Sequence, residues 1–419
     1  MRLAAVLSLV NLLAHAALAA DPAVQQLFDR VRDKVVDNTR RVPRYTCIQT
    51  IDRNQYRPQY GTKPAGCEAV IAARGKLLSP GYLTWHDRLR LDVAVLNGRE
   101  TFAWAGARQF ETTDIEQLTS SGSSGTGDFA AFLSSVFGLE TTRISLVGEE
   151  KNPTDLTALF GFDVPVDTSH YVYRSHGTGE QRVIGYHGTF LVDERLAELK
   201  RLMVEADHFP PDEVMCRVQD VMDYHRVKIG AGDFLLPETS KMTVLFNDGQ
   251  ESQNETHYSG CREYGVESSI SFDDSAGSSS STDLKATARQ KLPANLRLEI
   301  GLKSPIHSET AAAGDEVTAV VLRDVKGSAR ANDVVHGRIL RLEQFLFPTP
   351  RWVVAIRFNR IEHDGVERPL DLSPLDDGDR ARRNSILTEK RPPGAGVFIF
   401  PQLGNLVLDR KFHSAWETR

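Results

Sequence analysis

The segment Leu89-Arg90-Leu91-Asp92-Val93-Ala94-Val95 alternates between apolar and polar side chains. Asn97-Gly98 follows it, and Thr101-Phe102-Ala103-Trp104 comes next. A period of two residues is typical of a half-buried strand, and Asn-Gly readily takes the positive φ angles of a type I′ turn. These residues therefore predict an antiparallel β-hairpin.

Similar runs on both sides of this hairpin predict a β-dominated chain, because short strands separated by turn residues are typical of antiparallel sheets. The strand-like runs before residue 260 are Tyr45–Ile51, Tyr171–Arg174, Val183–Tyr186, Thr189–Val192, Val214–Val221, Tyr224–Ile229, Met242–Phe246 and Glu255–Tyr258. Those near the C terminus are 297–302, 316–322, 334–342, 352–358, 366–370, 396–400 and 405–408. The expected fold is mostly β, with a few helices.

Three segments show helical spacing. Residues 22–38 predict an amphipathic helix, with Asp21 as its cap and Pro22 at its first position. Asp128 is expected to cap a short helix that carries several phenylalanines on one face. The leucines of Glu194–Glu205 also favour a helix, although this segment lies between two strands and could pair with them.

The first twenty residues, Met1–Ala20, carry one charge, Arg2, and an apolar run that ends in Ala17-Leu18-Ala19. This pattern predicts a signal peptide over residues 1–19, and hence a periplasmic or secreted protein. No later stretch approaches the roughly 20 apolar residues that a membrane-spanning helix needs. We therefore expect no transmembrane segment in the mature chain.

The chain has 419 residues, a net charge of −6 and 41% hydrophobic residues, so two soluble domains are expected. Residues 273–282 are Asp, Ser, Gly, Ala and Thr, a composition typical of a flexible linker. The predicted organisation is a first domain over 20–272, a linker over 273–290 and a second β-rich domain over 291–419. Basic residues form no block, so nucleic acid is not an expected partner.

The four cysteines, Cys47, Cys67, Cys216 and Cys261, are an even number in an exported chain, which predicts disulfides. We predict the pairs Cys47–Cys67 and Cys216–Cys261, because each pair would lie on neighbouring predicted strands. A zinc site would need a CxxC motif or clustered histidines, and the sequence shows neither. No metal is therefore expected.

Catalytic motifs do not emerge from the sequence. The Gly/Ser run 119–127 lacks the Lys-Ser/Thr ending of a phosphate loop, and neither Gly-x-Ser-x-Gly nor His-Glu-x-x-His occurs. In His86-Asp87 the two side chains would point to opposite faces of a strand, while His363-Asp364-Gly365 is typical of a turn. We expect a protein that is not an enzyme and has no cofactor.

Residues 22–272 resemble the LolA/LppX-like half-barrel carriers. The resemblance rests on the N-terminal helix and on the segments Tyr45–Ile51, Asp87–Leu91, Gly188–Asp193, Leu199–Leu202, Tyr224–Val227 and Phe234–Pro237. It implies a curved antiparallel sheet that shelters acyl chains beneath helices. It also implies a strand, not a helix, at Leu196–Glu205.

Residues 291–372 resemble the β-barrel of VirB10/TrbI-like proteins. The resemblance rests on Leu292–Asn295, Ser304–Ile306, Ala312–Val317, Val335–Ile339, Arg357–Ile361 and Asp364-Gly365. It implies a small β-barrel or sandwich as the second domain. The whole chain resembles exported bacterial proteins that pair these two halves.

Six aromatic residues have two interpretations: ordinary core packing, or the lining of an apolar cavity between the sheet and the short helix. They are Trp85, Phe102, Trp104, Phe129, Phe132 and Phe137. With a cavity, the protein would carry or sense an apolar, lipid-like ligand in the cell envelope. With a solid core, it would be an interaction module that docks an envelope protein and takes no small ligand.

Overall fold

The structure is a computed structural model. It describes residues 22–59, 66–96, 99–107, 110, 115–119, 122–139, 142–151, 156–175, 178–264, 291–375 and 392–419. The predicted signal peptide, Asp21 and the predicted linker 273–290 lie outside the described residues. The domain boundaries therefore stay a prediction.

The described residues form three α-helices and twelve strands before residue 265. The helices are α1 (Pro22–Arg41), α2 (Cys67–Arg74) and α3 (Ala131–Gly138). The strands are β1 (Tyr45–Arg57), β2 (Tyr82–Leu96), β3 (Arg99–Trp104), β4 (Arg143–Lys151), β5 (Leu156–Val164), β6 (Val172–Arg174), β7 (Gln181–Val183), β8 (Tyr186–Asp193), β9 (Glu198–Ala206), β10 (Met215–Ile229), β11 (Gly232–Phe246) and β12 (Glu251–Glu263). A single 3₁₀ turn occupies Ile115–Gln117.

The described C-terminal residues form ten further strands. They are β13 (Arg297–Leu302), β14 (Ile306–His307), β15 (Glu316–Val321), β16 (Val334–Phe345), β17 (Arg351–His363), β18 (Val366–Pro369), β19 (Leu372–Pro374), β20 (Gly396–Phe400), β21 (Val407–Leu408) and β22 (His413–Thr418). The predicted mostly β fold is confirmed: a large, curved, antiparallel sheet with few helices.

The N-terminal strands pair antiparallel in the order β4-β5-β8-β9-β10-β11-β12-β1-β2-β3. The predicted hairpin is β2–β3, with Leu96 opposite Arg99 and Leu91 opposite Trp104. Its turn, Asn97-Gly98, lies outside the described residues. Helix α1 begins at Pro22, as expected, and buries Val31 and Val35 against the sheet.

Strand β9 corrects the helix that we predicted over Glu194–Glu205. It pairs with β8 on one side and with β10 on the other. Leu191 lies opposite Arg201 and Val192 opposite Leu199, so Lys200 is an extra residue in the ladder. Such a bulge puts two buried leucines three positions apart, which imitates helical spacing.

Both predicted disulfide pairs are wrong. The structure joins Cys47 to Cys261 and Cys67 to Cys216. Cys47 lies on β1, whose neighbour is β12, the last N-terminal strand. Cys67 is the first residue of α2, which contacts β10, and not part of a strand beside β1.

The two parts of the chain share one sheet. Trp85–Asp87 of β2 pair with Phe345–Glu343 of β16, and Ala313 exchanges two backbone hydrogen bonds with Arg88 and Arg90. Gly314 follows with φ +108°, and a Cβ there would lie 2.0 Å from the Arg90 carbonyl oxygen. We call this junction the seam.

The C-terminal strands extend from the seam in the order β16-β15-β13-β22-β19, with β17 on the other side of β16. Their own core surrounds Trp416 and Ile356, both fully buried. Another cluster is shared, because Leu91 and Val93 of β2 pack with Val353 and Ala355 of β17. The C-terminal part is thus a β unit built onto one edge of the curved sheet.

Candidate functional site

A cavity of about 690 Å³ lies between β10, β11, helix α3 and the loop Gly122–Gly127. Its wall combines apolar and polar side chains. The apolar and aromatic wall residues are Ile115, Ala131, Phe132, Tyr171, Val172, Tyr173, Tyr186, Met215, Val218, Met242, Val244 and Phe246. Aromatic rings pack together on one side of the cavity, where the ring centroid of Phe132 lies 5.6 Å from that of Tyr171 and 5.9 Å from that of Tyr186.

Two carboxyl groups, those of Glu100 and Asp128, hold the loop over the cavity in place. The Glu100 carboxylate accepts hydrogen bonds from the backbone N–H of Gly127, at 3.0 and 3.1 Å, and of Phe129, at 3.3 Å. The Asp128 carboxylate accepts a hydrogen bond from the hydroxyl of Tyr258 on β12. Asp128 therefore joins the loop to the sheet and does not cap α3 as we predicted. That helix begins at Ala131 without a side-chain cap.

Gly125 shows how closely the loop approaches the sheet. A Cβ at this position would lie 2.7 Å from the sulfur of Met242 on β11. The Asn254 amide adds a hydrogen bond of 2.9 Å to the Ser123 carbonyl. A larger residue at this position would have to displace the end of the Met242 side chain.

Asp220 is the buried acidic residue of the cavity wall. It lies in the middle of β10, opposite Val204 of β9 and Met242 of β11, and is 6% exposed. Its Oδ1 atom has no hydrogen-bond partner. Burial raises the pKa of Asp220 well above its usual range, and the nearby charges of Asp128 and Glu100 raise it further.

Sequence reasoning missed Asp220, but a signal was present. Along β10 every second side chain is buried, and Asp220 occupies one of these buried positions between Val218 and Met222. A charged residue at such a position is uncommon, because a buried carboxyl group needs a partner. Asp87 gives the same signal on β2, between Trp85 and Leu89.

The six aromatic residues singled out from the sequence lie in different parts of the structure. Phe132 lines the cavity, and Phe137 lines a smaller hollow of about 250 Å³ beside α1. Phe102, Trp104 and Phe129 belong to the packed core that β1, β2 and β3 share. Trp85 is buried near Gly122, with the Arg53 guanidinium 5.3 Å from its ring centroid. Core packing thus describes Phe102, Trp104 and Phe129, while the cavity wall combines residues of β10 and β11 with the loop Gly122–Gly127, helix α3 and residues 170–174.

Stability is expected to fall as the pH rises through the pKa of Glu100. Burial, then the Asp128 charge, raises this pKa from 4.5 to about 7, so the folded protein holds the proton more tightly than the unfolded chain. This contribution is complete below the unfolded pKa and is lost above the folded one. Between pH 5 and pH 8 it amounts to about 2.5 kcal/mol.

The comparison of wild type with Glu100→Gln isolates this effect, since Gln keeps an acceptor oxygen for the loop but cannot ionise. Urea unfolding should be measured for both proteins at pH 5 and at pH 8. Between these pH values wild type should lose about 2.5 kcal/mol more unfolding free energy than the variant. A difference between the two proteins that does not change with pH would contradict the burial of this carboxyl group.

A second group of polar residues lies apart from the cavity wall. His187, Asp207 and His208 each place one donor atom within 4.8 Å of the others, and imidazole and carboxylate are donors that zinc accepts. Asp207 and His208 follow strand β9, whose pairing with β8 brings them beside His187. The sequence search for clustered histidines missed this group because its members meet only through the sheet.

The described helices do not include one that is long and apolar enough to cross a membrane. No protein-family model and no curated protein sequence matches the chain. A solved structure of a LolA superfamily protein from Nitrosomonas europaea matches 58% of this chain and 94% of its own length, at 10% sequence identity and a TM-score of 0.26. The resemblance of the C-terminal part to VirB10/TrbI-like proteins has no support from these comparisons.

Proposed function

We propose that this protein is an exported, non-enzymatic binding protein that holds an apolar or amphipathic ligand in the cavity beneath the loop Gly122–Gly127. The cavity is the observation that carries the proposal. Its volume of about 690 Å³ falls within the range of small-molecule sites, which are mostly apolar with a few polar groups. The two disulfides support export, because disulfides persist in oxidising compartments.

The polar groups around the cavity support binding more than catalysis. Glu100 and Asp128 already accept hydrogen bonds that fasten the loop. The hydroxyl of Ser124 has no hydrogen-bond partner, so no base activates it as a nucleophile. Arg174, at the cavity wall, lies 3.2 Å from the Glu116 carboxylate. Each of these groups has a structural role or lacks the neighbour that catalysis needs.

The loop and α3 offer a route of entry. Gly122 and Gly127 have φ angles of +83° and +114°, which glycine adopts at little cost. Helix α3 is held from the other side, where the Arg32 guanidinium donates a hydrogen bond of 3.0 Å to the Phe137 carbonyl. Movement of the loop about its glycines would therefore open the cavity without displacing the helix from α1.

We expect Val244→Phe to weaken the binding of an apolar probe by at least about tenfold, because the larger ring occupies space that the ligand needs. Val244 lies on β11 in the cavity wall. The measurement is a fluorescence titration with N-phenyl-1-naphthylamine. Val183→Phe, at an exposed strand position outside the cavity wall, is the matched control and should bind like wild type.

A second experiment uses the ligand of the cell. Native mass spectrometry of wild type purified from its own envelope should show a bound lipid. Phe132→Asp should remove this adduct, because the carboxylate would enter the apolar wall. Wild type that carries no lipid and takes up no probe would contradict the proposal and favour the docking module.

A further inference from the structure

Asp220 is a buried acid with one carboxyl oxygen that has no hydrogen-bond partner. The side chain lines the cavity and is 6% exposed, and its Oδ1 atom accepts no hydrogen bond. Buried carboxyl groups are normally hydrogen-bonded or paired with a cation, because water no longer solvates them. A buried carboxyl oxygen that lacks a partner and lies in a cavity wall can therefore accept a hydrogen bond from a bound ligand.

The other two acidic residues of this region already accept hydrogen bonds from the protein. Glu100 accepts hydrogen bonds from the backbone of Gly127 and Phe129, and Asp128 accepts one from Tyr258. Their charges nevertheless act on Asp220. This part of the cavity thus favours a positive group and disfavours a carboxylate or a phosphate.

The cationic side chains nearby do not reverse this preference. Arg174 lies in the cavity wall beside Glu116, at 3.2 Å. Arg53, next to Gly122, donates a hydrogen bond of 2.8 Å to Asp87. Both guanidinium groups have an acidic neighbour of their own, so neither is placed to hold an anionic head group at Asp220.

An apolar patch of the wall fits the rest of such a ligand. Val218, Met242 and Val244 form one apolar cluster on β10 and β11, and Phe246 packs against it. All four line the same cavity as Asp220. A polar end at Asp220 would therefore place an alkyl chain along these residues.

We propose that Asp220 is the recognition group of the cavity and that the ligand is an apolar chain bearing a protonated amine. The inference rests on the proposed function and adds the chemical class of the ligand. The ammonium group would favour the ionised form of Asp220, whose proton passes to solvent on binding, and would donate hydrogen bonds to the carboxylate. Charge-assisted bonds of this kind are stronger than neutral ones.

The test compares three probes with the same chain, dodecylamine, dodecanol and dodecanoate, in competition with N-phenyl-1-naphthylamine. Wild type should bind dodecylamine at least about tenfold more tightly than dodecanol, and dodecanoate least, as expected for a hydrogen bond to a charged group. Asp220→Asn should bind the amine and the alcohol with affinities within about twofold of each other. Asp220→Glu should restore the preference for the amine.

Asp167→Asn is the matched control, because Asp167 is exposed and does not line the cavity. It should keep the wild-type order of the three probes. Equal binding of all three probes by wild type, or an amine preference that survives in folded Asp220→Asn, would overturn the inference and leave the proposed function intact. Binding of none of the probes would instead contradict the proposed function.

Discussion

Replacement of both Cys47 and Cys261 by alanine is expected to lower the free energy of unfolding by about 5 kcal/mol. The disulfide between them spans 214 residues, and loop-closure entropy of the unfolded chain grows with the length of the closed loop. It also joins β1 to β12, the pair that unites the first and last N-terminal strands. Urea unfolding without reductant measures the loss.

Thiol counting on the same variant tests the pairing independently of stability. With Cys67 bonded to Cys216, the unfolded variant should show no free thiol. Two free thiols would mean that the removed cysteines had been paired with Cys67 and Cys216. The companion variant, Cys67→Ala with Cys216→Ala, should lose a similar amount of stability, because its loop spans 149 residues.

Asp87→Ala is expected to cost about 3–5 kcal/mol, because it leaves the buried Arg53 guanidinium without its partner. Arg53 is 1% exposed, and its Nε donates a hydrogen bond of 2.8 Å to Asp87 Oδ1. Burial raises the pKa of Asp87 to about 6, although Arg53 opposes this shift. Unfolding should therefore be measured at pH 8, where the carboxylate is ionised.

A neighbouring ion pair provides the control. Arg88 and Asp52 lie on the same two strands, 2.7 Å apart, but their side chains are 27% and 25% exposed. Asp52→Ala should therefore cost at most about 1 kcal/mol. The double variant Arg53→Met with Asp87→Leu should recover most of the stability, because a matched apolar pair leaves no buried charge unpaired. Equal losses for Asp87→Ala and Asp52→Ala would contradict the buried pair.

Features that depend on neighbours in sequence were predicted well. The alternation of Leu89–Val95 and the spacing of α1 are local patterns, and the structure has the hairpin and the helix where they were expected. The two disulfides depend instead on pairings across the sheet, such as β1 with β12. Sequence proximity of the cysteines was therefore a poor guide to their connectivity.

The candidate site was predicted only in part, for the same reason. Phe132 was found because it lies on a local apolar stripe of α3. The cavity wall brings together segments that are distant along the chain, among them the loop Gly122–Gly127 and strands β10 and β11. The acids that act on Asp220, which are Asp128 and Glu100, are also distant from it in sequence. Strands β4 and β5 were not predicted. In β9 the extra residue Lys200 interrupts the two-residue alternation by which a strand is identified from sequence.

The seam also bears on how the sheet avoids unwanted association. Strand β3 covers only the second half of β2, from Leu91 onward. The backbone groups before it are satisfied by Ala313 and by residues 343–345 of β16. An uncovered strand edge is a template for pairing with another chain, and proteins commonly shield such edges. The C-terminal part thus shields the edge of β2 within the same chain, so that this edge is not open to pairing with another molecule.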